Sequence, residues 1–164
     1  MTRELPRAPA REAVTAWVAL GANLGDAQAT VRQALRDLQA LPHTTVVAAS
    51  SLYRTAPHEA QGPDFINAVA MLSTRLSAPG LLDALQSLEN AAGRERPYVN
   101  APRTLDLDLL FYVDARIDSP RLTVPHPRWQ ERAFVLVPLA EIAPEFVTDR
   151  TLLAVAGQPI ERLV

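Results

Sequence analysis

Between Arg103 and Phe111 the chain reads Arg-Thr-Leu-Asp-Leu-Asp-Leu-Leu-Phe. This alternation has period two: as a strand it sends Leu105, Leu107, Leu109 and Phe111 to one face and Thr104, Asp106 and Asp108 to the other. The leucine face must find a core, and the opposite face must accommodate two carboxylates. At the rise of a strand their α-carbons stand about 7 Å apart. Both side chains can then reach one divalent cation, or a cation pair about 3.5 to 4 Å apart. Aspartate is depleted in strands, so two of them here are costly unless something binds to them. A solvated strand face with two harmless acids is the alternative.

The chain of 164 residues, 48% of them apolar, suits one domain with a real core, expected over residues 15–164. Residues 1–14, rich in Arg, Ala and Pro, lack the apolar stretch of a secretion signal and are read as a flexible N-terminal extension. No segment approaches the roughly eighteen apolar residues of a membrane span. A formal charge of −2 gives no basic field, so no nucleic-acid or membrane partner is expected. Without cysteine there is no disulfide framework, thiolate nucleophile or cysteine-based zinc site, which suits a cytoplasmic protein, expected to be a monomer. The histidines, His43, His58 and His126, are too scattered to suggest a metal cluster. All sixteen basic residues are arginine. A P-loop lysine is therefore missing, and arginine together with a metal is the remaining route to phosphate.

The order of elements follows from the patterning. Thr15–Leu20 reads as a strand, Asp26 caps a helix that runs to about Leu41 with Val31, Leu35 and Leu38 on one face, and Thr44–Arg54 is a β-branched strand. Phe65–Leu76 alternates Phe65, Asn67, Val69 and Met71 against Ile66, Ala68, Ala70 and Leu72. Ser77 caps a second helix, with Pro79 in its first turn and Gly93 at its end, before the aspartate strand. This is an α+β chain with a ferredoxin-like βαββαβ core, an antiparallel sheet with both helices on one face and the other face open for a site. A short extended piece at Leu122–Val124, a proline-rich turn at Pro125–Pro127 and a C-terminal helical addition, Phe134–Ile142, follow.

Two connections, Thr55–Pro63 and Arg94–Arg103, exceed what their geometry demands and suit loops that close over an anion; ordinary surface loops are the alternative. Arg94, Arg96 and Arg103 precede the aspartates, and Arg121, His126, Arg128 and Arg132 follow them. These charges can neutralise one another as salt bridges, or they can grip a metal-bound polyphosphate, where oxygen-only ligands favour magnesium over zinc. No strained serine elbow or GxGxxG loop is present.

The blocks LGANLGD (Leu20–Asp26), SSLYRTAP (Ser50–Pro57), DFINAV (Asp64–Val69), GRER (Gly93–Arg96), APRTLDLDLL (Ala101–Leu110) and LTVPHPRWQERAFVLVPLAEIAP (Leu122–Pro144) occur here in order. Over roughly Ala16–Val147 the chain resembles the 6-hydroxymethyl-7,8-dihydropterin pyrophosphokinase family of folate biosynthesis. The resemblance implies transfer of the pyrophosphoryl group of the co-substrate ATP to the pterin hydroxymethyl group, giving the pterin diphosphate and AMP. It makes Asp106 and Asp108 ligands of two Mg2+ ions, and Arg94 and Arg103 the catalytic arginines. It also assigns Gln86, Glu89, Arg96, Arg121, Thr123 and His126 to ATP. The pterin falls to Phe65 and Phe134, stacked on its two faces, to Asn67 at its edge and to the backbone around Thr55.

The chain departs from the family pattern at Ala101, where glycine is usual, at Asn100, where some members carry tryptophan, at Pro127, where some carry tyrosine, and at Val113, where glycine is frequent. None of these removes a metal ligand or a catalytic arginine. Two rival functions remain: a ligand-binding module without catalysis, and a metal-dependent nucleotidyl or phosphate hydrolase that consumes ATP without a pterin.

Overall fold

Strand β1 (Val14–Ala22) is apolar on both faces, Ala16, Val18, Leu20 and Ala22 on one and Trp17 and Ala19 on the other. It has to be covered on both sides, and it runs inside a six-stranded sheet. The computed structural model describes residues 11–57, 62–93 and 104–163. Arg94, Arg96 and Arg103, the departures Asn100 and Ala101, residues 58–61 and the first ten residues of the chain lie outside them.

On one side β1 pairs antiparallel with β4 (Phe65–Thr74), and on the other with β5 (Asp106–Tyr112). Strands β2 (Thr44–Ala49) and β3 (Tyr53–Thr55) follow each other along the far edge of β4, and β8 (Ile160–Arg162) adds to β3. A separate two-stranded ribbon joins β6 (Ile117–Asp118) and β7 (Thr123–Val124).

Helices α1 (Ala27–Gln39) and α2 (Ala78–Ala92) cover one face. The Asp26 carboxylate accepts the Ala29 N–H at 3.1 Å and the Ser77 hydroxyl accepts the Gly80 N–H at 3.1 Å, so each start satisfies a donor that would otherwise be orphaned. Val31, Ala34 and Leu38 of α1 and Leu81 and Leu85 of α2 pack on Ala16, Val18 and Leu20, on Ile66, Ala68, Ala70 and Leu72, and on Leu105, Leu107 and Leu109. Each fully buried leucine of this set contributes about 1.5 to 3 kcal/mol through removal from water. Among the described residues no helix is long and apolar enough to cross a membrane.

Three expectations need correction. The segment Thr44–Arg54 is two strands, because the Ser50 hydroxyl accepts the Val69 N–H at 3.0 Å and takes over a rung of the ladder. The pairing moves from Ala49 opposite Ala70 to Tyr53 opposite Asn67, which absorbs one extra residue. Phe111 does not join the leucines. A bulge between the Trp17–Phe111 and Val18–Leu109 pairs turns Phe111 to the opposite face, where it stacks on Phe146 with ring centroids 5.2 Å apart and meets Trp129 edge-on at 4.9 Å.

That second face is not left open along its whole length. Helix α3 (Ala133–Ile142) lays Val135 and Leu139 on Trp17, Ala19, Val69, Leu110 and Phe111, and tertiary burial holds it despite Pro138 in its interior. Beyond it come α4 (Asp149–Ala154) and β8, neither expected from the patterning, so the C-terminal addition returns to the sheet as a strand.

Val113, just after β5, sits at φ 53°, in the left-handed region that suits glycine or asparagine and crowds a β-branched side chain. Its N–H donates to Thr15 O at 2.8 Å and its side chain is exposed, so the backbone is held there for the turn and gains nothing from the valine. Val113→Asn should raise the unfolding free energy by about 1 kcal/mol. Urea denaturation that shows no gain would mean the turn is unstrained.

Candidate active site

The register of three strands builds the site. Asn67 of β4 lies opposite Gly21 of β1, and Gly21 lies opposite Asp106 of β5; one row along, Val69, Ala19 and Asp108 align in the same way. Paired residues point to the same face, so both aspartates stand beside the two smallest side chains on that face of β1. A cavity of about 670 Å³ opens above Gly21 and Ala19, in the half of the face that α3 leaves uncovered.

Thr55, Phe65, Asn67, Asp106, Asp108 and Phe134 all line this cavity, coming from β3, β4, β5 and the first turn of α3. Asn67 is buried and donates through Nδ2 to the Thr55 hydroxyl at 2.8 Å, which fixes the direction of its amide. A Cβ on Gly21 would come within 3.2 Å of Asn67 Oδ1, so the residue beside the amide has to be small.

The residues expected for the nucleotide gather elsewhere. Arg121, between β6 and β7, donates to Asp83 at 2.6 Å and to Gln86 at 3.4 Å, and the Glu89 carboxylate accepts the Leu107 N–H at 3.0 Å from the outer edge of β5. Gln86 and Glu89 of α2, Arg121 and Thr123 of β7 are thus placed beyond the edge of the sheet, outside the cavity lining.

His126 follows β7. Its N–H donates to Leu110 O at 2.9 Å, and its Nδ1 accepts the Arg128 N–H at 3.2 Å. Burial pushes its imidazole below the ordinary 6.5, with Arg132 and Arg128 adding to the shift and the nearby Asp108 opposing it. The imidazole is thus close to Asp108 while lying outside the cavity lining.

Arg128 and Arg132, expected only within the general set of phosphate-gripping charges, line the wall, together with Glu131 and the turn Gly157–Pro159, for which the sequence offered no role. The Arg132 guanidinium sits 5.3 Å from the centroid of the Phe134 ring. A Gly-Gln-Pro triplet signals a turn, but no local pattern places that turn against residues two dozen positions earlier.

The pattern of the 7,8-dihydro-6-hydroxymethylpterin-pyrophosphokinase (HPPK) family matches residues 17–144. The chain belongs to the HPPK family. It is 48% identical over 130 residues to a 2-amino-4-hydroxy-6-hydroxymethyldihydropteridine pyrophosphokinase of Pseudomonas aeruginosa, covering 79% of this chain and 80% of that one. A protein of the same name from Bacillus subtilis is 41% identical over 138 residues, covering 83% and 82%.

Among solved structures, a Plasmodium falciparum HPPK-DHPS chain superposes with a TM-score of 0.68 at 14% identity, over 88% of this chain and 42% of that one. The likeness is one of fold, and this chain spans about two fifths of the solved chain. As a member of the HPPK family it is an enzyme of the diphosphotransferase class.

In this HPPK-family chain the wall strand β3 is held from behind. The Glu141 carboxylate, near the end of α3, accepts the Ser51 N–H at 2.6 Å and the Tyr53 hydroxyl at 2.8 Å, with Arg162 of β8 3.6 Å away. Burial, then the hydrogen bond and negative charge of Glu141, push the Tyr53 phenol up to about 12 against the pull of Arg162. Burial alone would raise the Glu141 carboxyl, but the bonds from Ser51 and Tyr53 and the charge of Arg162 together bring it below its ordinary 4.5.

The signs follow. The ionised Glu141 stabilises the fold above the ordinary carboxylate range and stops doing so as pH falls through its depressed value, whereas neutral Tyr53 stabilises it below 10 and ceases to as pH rises through about 12. Glu141→Gln should cost about 1 kcal/mol at neutral pH, and the gap from the parent should close as the pH drops below the carboxylate range. Ultraviolet difference titration of Tyr53→Phe against the parent should assign a phenol near 12. A phenol at 10 would mean that the hydrogen bond is absent in solution.

Proposed function

We propose that the chain transfers the diphosphoryl group of ATP to the hydroxymethyl oxygen of 6-hydroxymethyl-7,8-dihydropterin, in folate biosynthesis. The observation that carries this reading is the single cavity shared by two aspartates, a hydrogen-bonding Asn67–Thr55 pair and two aromatic rings. Such a lining suits a flat, polar-edged heterocycle whose reacting arm points toward the acids. The curated relatives bear the name of this activity. The reading includes a ferredoxin-like core, supported by the antiparallel order β5–β1–β4 with β2 and β3 beyond β4.

In this reading Phe65 and Phe134 stack on the two faces of the pterin. Asn67, its amide directed by Thr55, offers Oδ1 and its remaining N–H to the ring edge. Gln86, Glu89, Arg96, Arg121, Thr123 and His126 hold ATP. The hydroxyl oxygen attacks the β-phosphorus; a bond from that oxygen to phosphorus forms, the bond to the α–β bridging oxygen breaks, and AMP departs with the electron pair. The hydroxyl proton passes to water or to a phosphate oxygen. Arg94 and Arg103 neutralise charge that develops on the transferred group.

The donor chemistry of Asp106 and Asp108 fits magnesium. Both are hard oxygen donors on one cavity wall, and among the described residues no three His, Cys, Asp or Glu side chains assemble a complete protein cage. An ion that keeps water and substrate phosphate in its shell suits such a partial site. Two Mg2+ ions held by Asp106 and Asp108 would supply charge neutralisation on the triphosphate and a lower pKa for the attacking hydroxyl.

AMP, with no ADP, should form from ATP and magnesium only when the hydroxymethyl pterin is added. ATP consumption without the pterin would favour a hydrolase, and no AMP in the full mixture would overturn the reading. Asp106→Asn and Asp108→Asn should each lower turnover by about 10² to 10³ while the unfolding transition stays in place. Normal turnover in either variant would remove that residue from the metal site.

A further inference from the structure

The segment that closes the cavity, Gly157–Pro159, lies beyond the stretch that the HPPK family pattern matches, which ends at residue 144. It is held by a two-point contact. Gln158 Oε1 accepts the Ala133 N–H at 2.9 Å, and its Nε2 donates to Glu131 O at 2.9 Å. Arg132, the residue between, is the N-cap of α3 and makes no side-chain capping bond. A remote glutamine thus satisfies the first orphan donor of that helix and holds the backbone on both sides of Arg132.

The consequence falls on the pocket. Arg132 and Phe134 face the cavity from the one to two residues that this contact fixes, and the guanidinium sits over the Phe134 ring. The segment is anchored again where β8 pairs with β3, with Thr55 opposite Ile160 and Leu163 N–H donating to Leu52 O at 2.9 Å. The C-terminal strap therefore ties the Thr55 wall to the Phe134 wall, and Gln158 sits at its point of entry.

We infer that Gln158 is a positioning residue of the heterocycle pocket: by clamping residues 131 and 133 it sets the angle of the Phe134 ring and the spacing between the two walls. This rests on the proposed pterin reading. The predicted signature is selective. The pterin end of the cavity depends on Gln158, whereas the α2 and β7 residues proposed for ATP lie across the sheet from it and do not.

Gln158→Met keeps the volume and removes both hydrogen bonds; Gln158→Glu keeps the acceptor for Ala133 and sets an oxygen against Glu131 O. Steady-state kinetics with each substrate varied, together with thermal unfolding, test the inference on the full chain. In both variants the KM for the hydroxymethyl pterin should rise about tenfold, the loss expected for roughly one net hydrogen bond's worth of positioning, while the KM for ATP stays within twofold.

Unchanged pterin KM in a parent-like, active Gln158→Met protein overturns the inference and leaves the pterin reading standing. A uniform fall in turnover, with both KM values moved and the unfolding temperature lowered, also overturns it, because that is what a purely structural contact does. Should Gln158→Met fail to fold, Gln158→Glu decides on the same criteria. If it too fails to fold, the clamp is structural and the inference is overturned. A parent protein that forms no AMP at all sinks the pterin reading itself, an outcome separate from any comparison of variants.

Discussion

The antiparallel register that sets Gly21 between Asn67 and Asp106, and Ala19 between Val69 and Asp108, is the constraint on which the rest depends. A shift of one residue between β1 and β5 would turn the aspartates into the leucine-packed layer under α1 and α2. Burying two unpaired carboxylates there is prohibitive, and the leucines of β5 would be left in the cavity. Leu105, Leu107 and Leu109 in the core and Asp106 and Asp108 at the cavity are thus one fact: the burial of the leucines holds the acids in place.

The second face divides its labour along the strands. At one end Trp17 and Phe111 pack under α3 and the exposed Phe146 ring closes on both, with centroids 5.2 to 5.3 Å away. At the other, small residues of β1 leave space. The bulge that turns Phe111 out of the leucine row serves both ends, because it anchors α3 over the aromatics and so fixes where α3 begins. Helix α3 then presents Phe134 to the cavity at its start and Glu141 to β3 near its end. One ten-residue helix thereby sets the position of two walls.

Local patterns in the sequence carried much of this. The caps Asp26 and Ser77 and the stop at Gly93 state their helices through side-chain chemistry acting within three or four residues. The alternation in Phe65–Thr74 placed Phe65 and Asn67 on the face they occupy, and the same logic placed Asp106 and Asp108. The bulges could not be read in that way. Whether Ser50 takes a rung of the ladder, or Leu110 is skipped, depends on the partner strand, and period-two counting assumes that pairing is uniform. The wall around Gln158 was hidden for a related reason: its two bonds reach back 27 and 25 positions, and nothing within its own neighbourhood encodes a helix cap so far away. Thr55 and Phe134 were reached only through the family resemblance, since a threonine opening a connection carries no signal of its own and an aromatic in an apolar helix looks like ordinary core; the structure draws Thr55 into β3.

Sheet geometry also bears on which substrates fit. Asn67 and Asp106 sit on strands separated by β1, so their backbones are two strand spacings apart, about 10 Å. A ligand that hydrogen-bonds to Asn67 and reacts beside Asp106 must bridge that span while staying flat between Phe65 and Phe134. A fused two-ring heterocycle with one exocyclic carbon has the required reach. A single ring held at Asn67 would leave its oxygen short of Asp106, and a longer arm would carry it past that carboxylate. In the proposed reaction, selection by length is then imposed by the backbone spacing of the sheet, while the aromatic walls select for thickness. Alignment of the reactant is in this way a property of the rigid sheet.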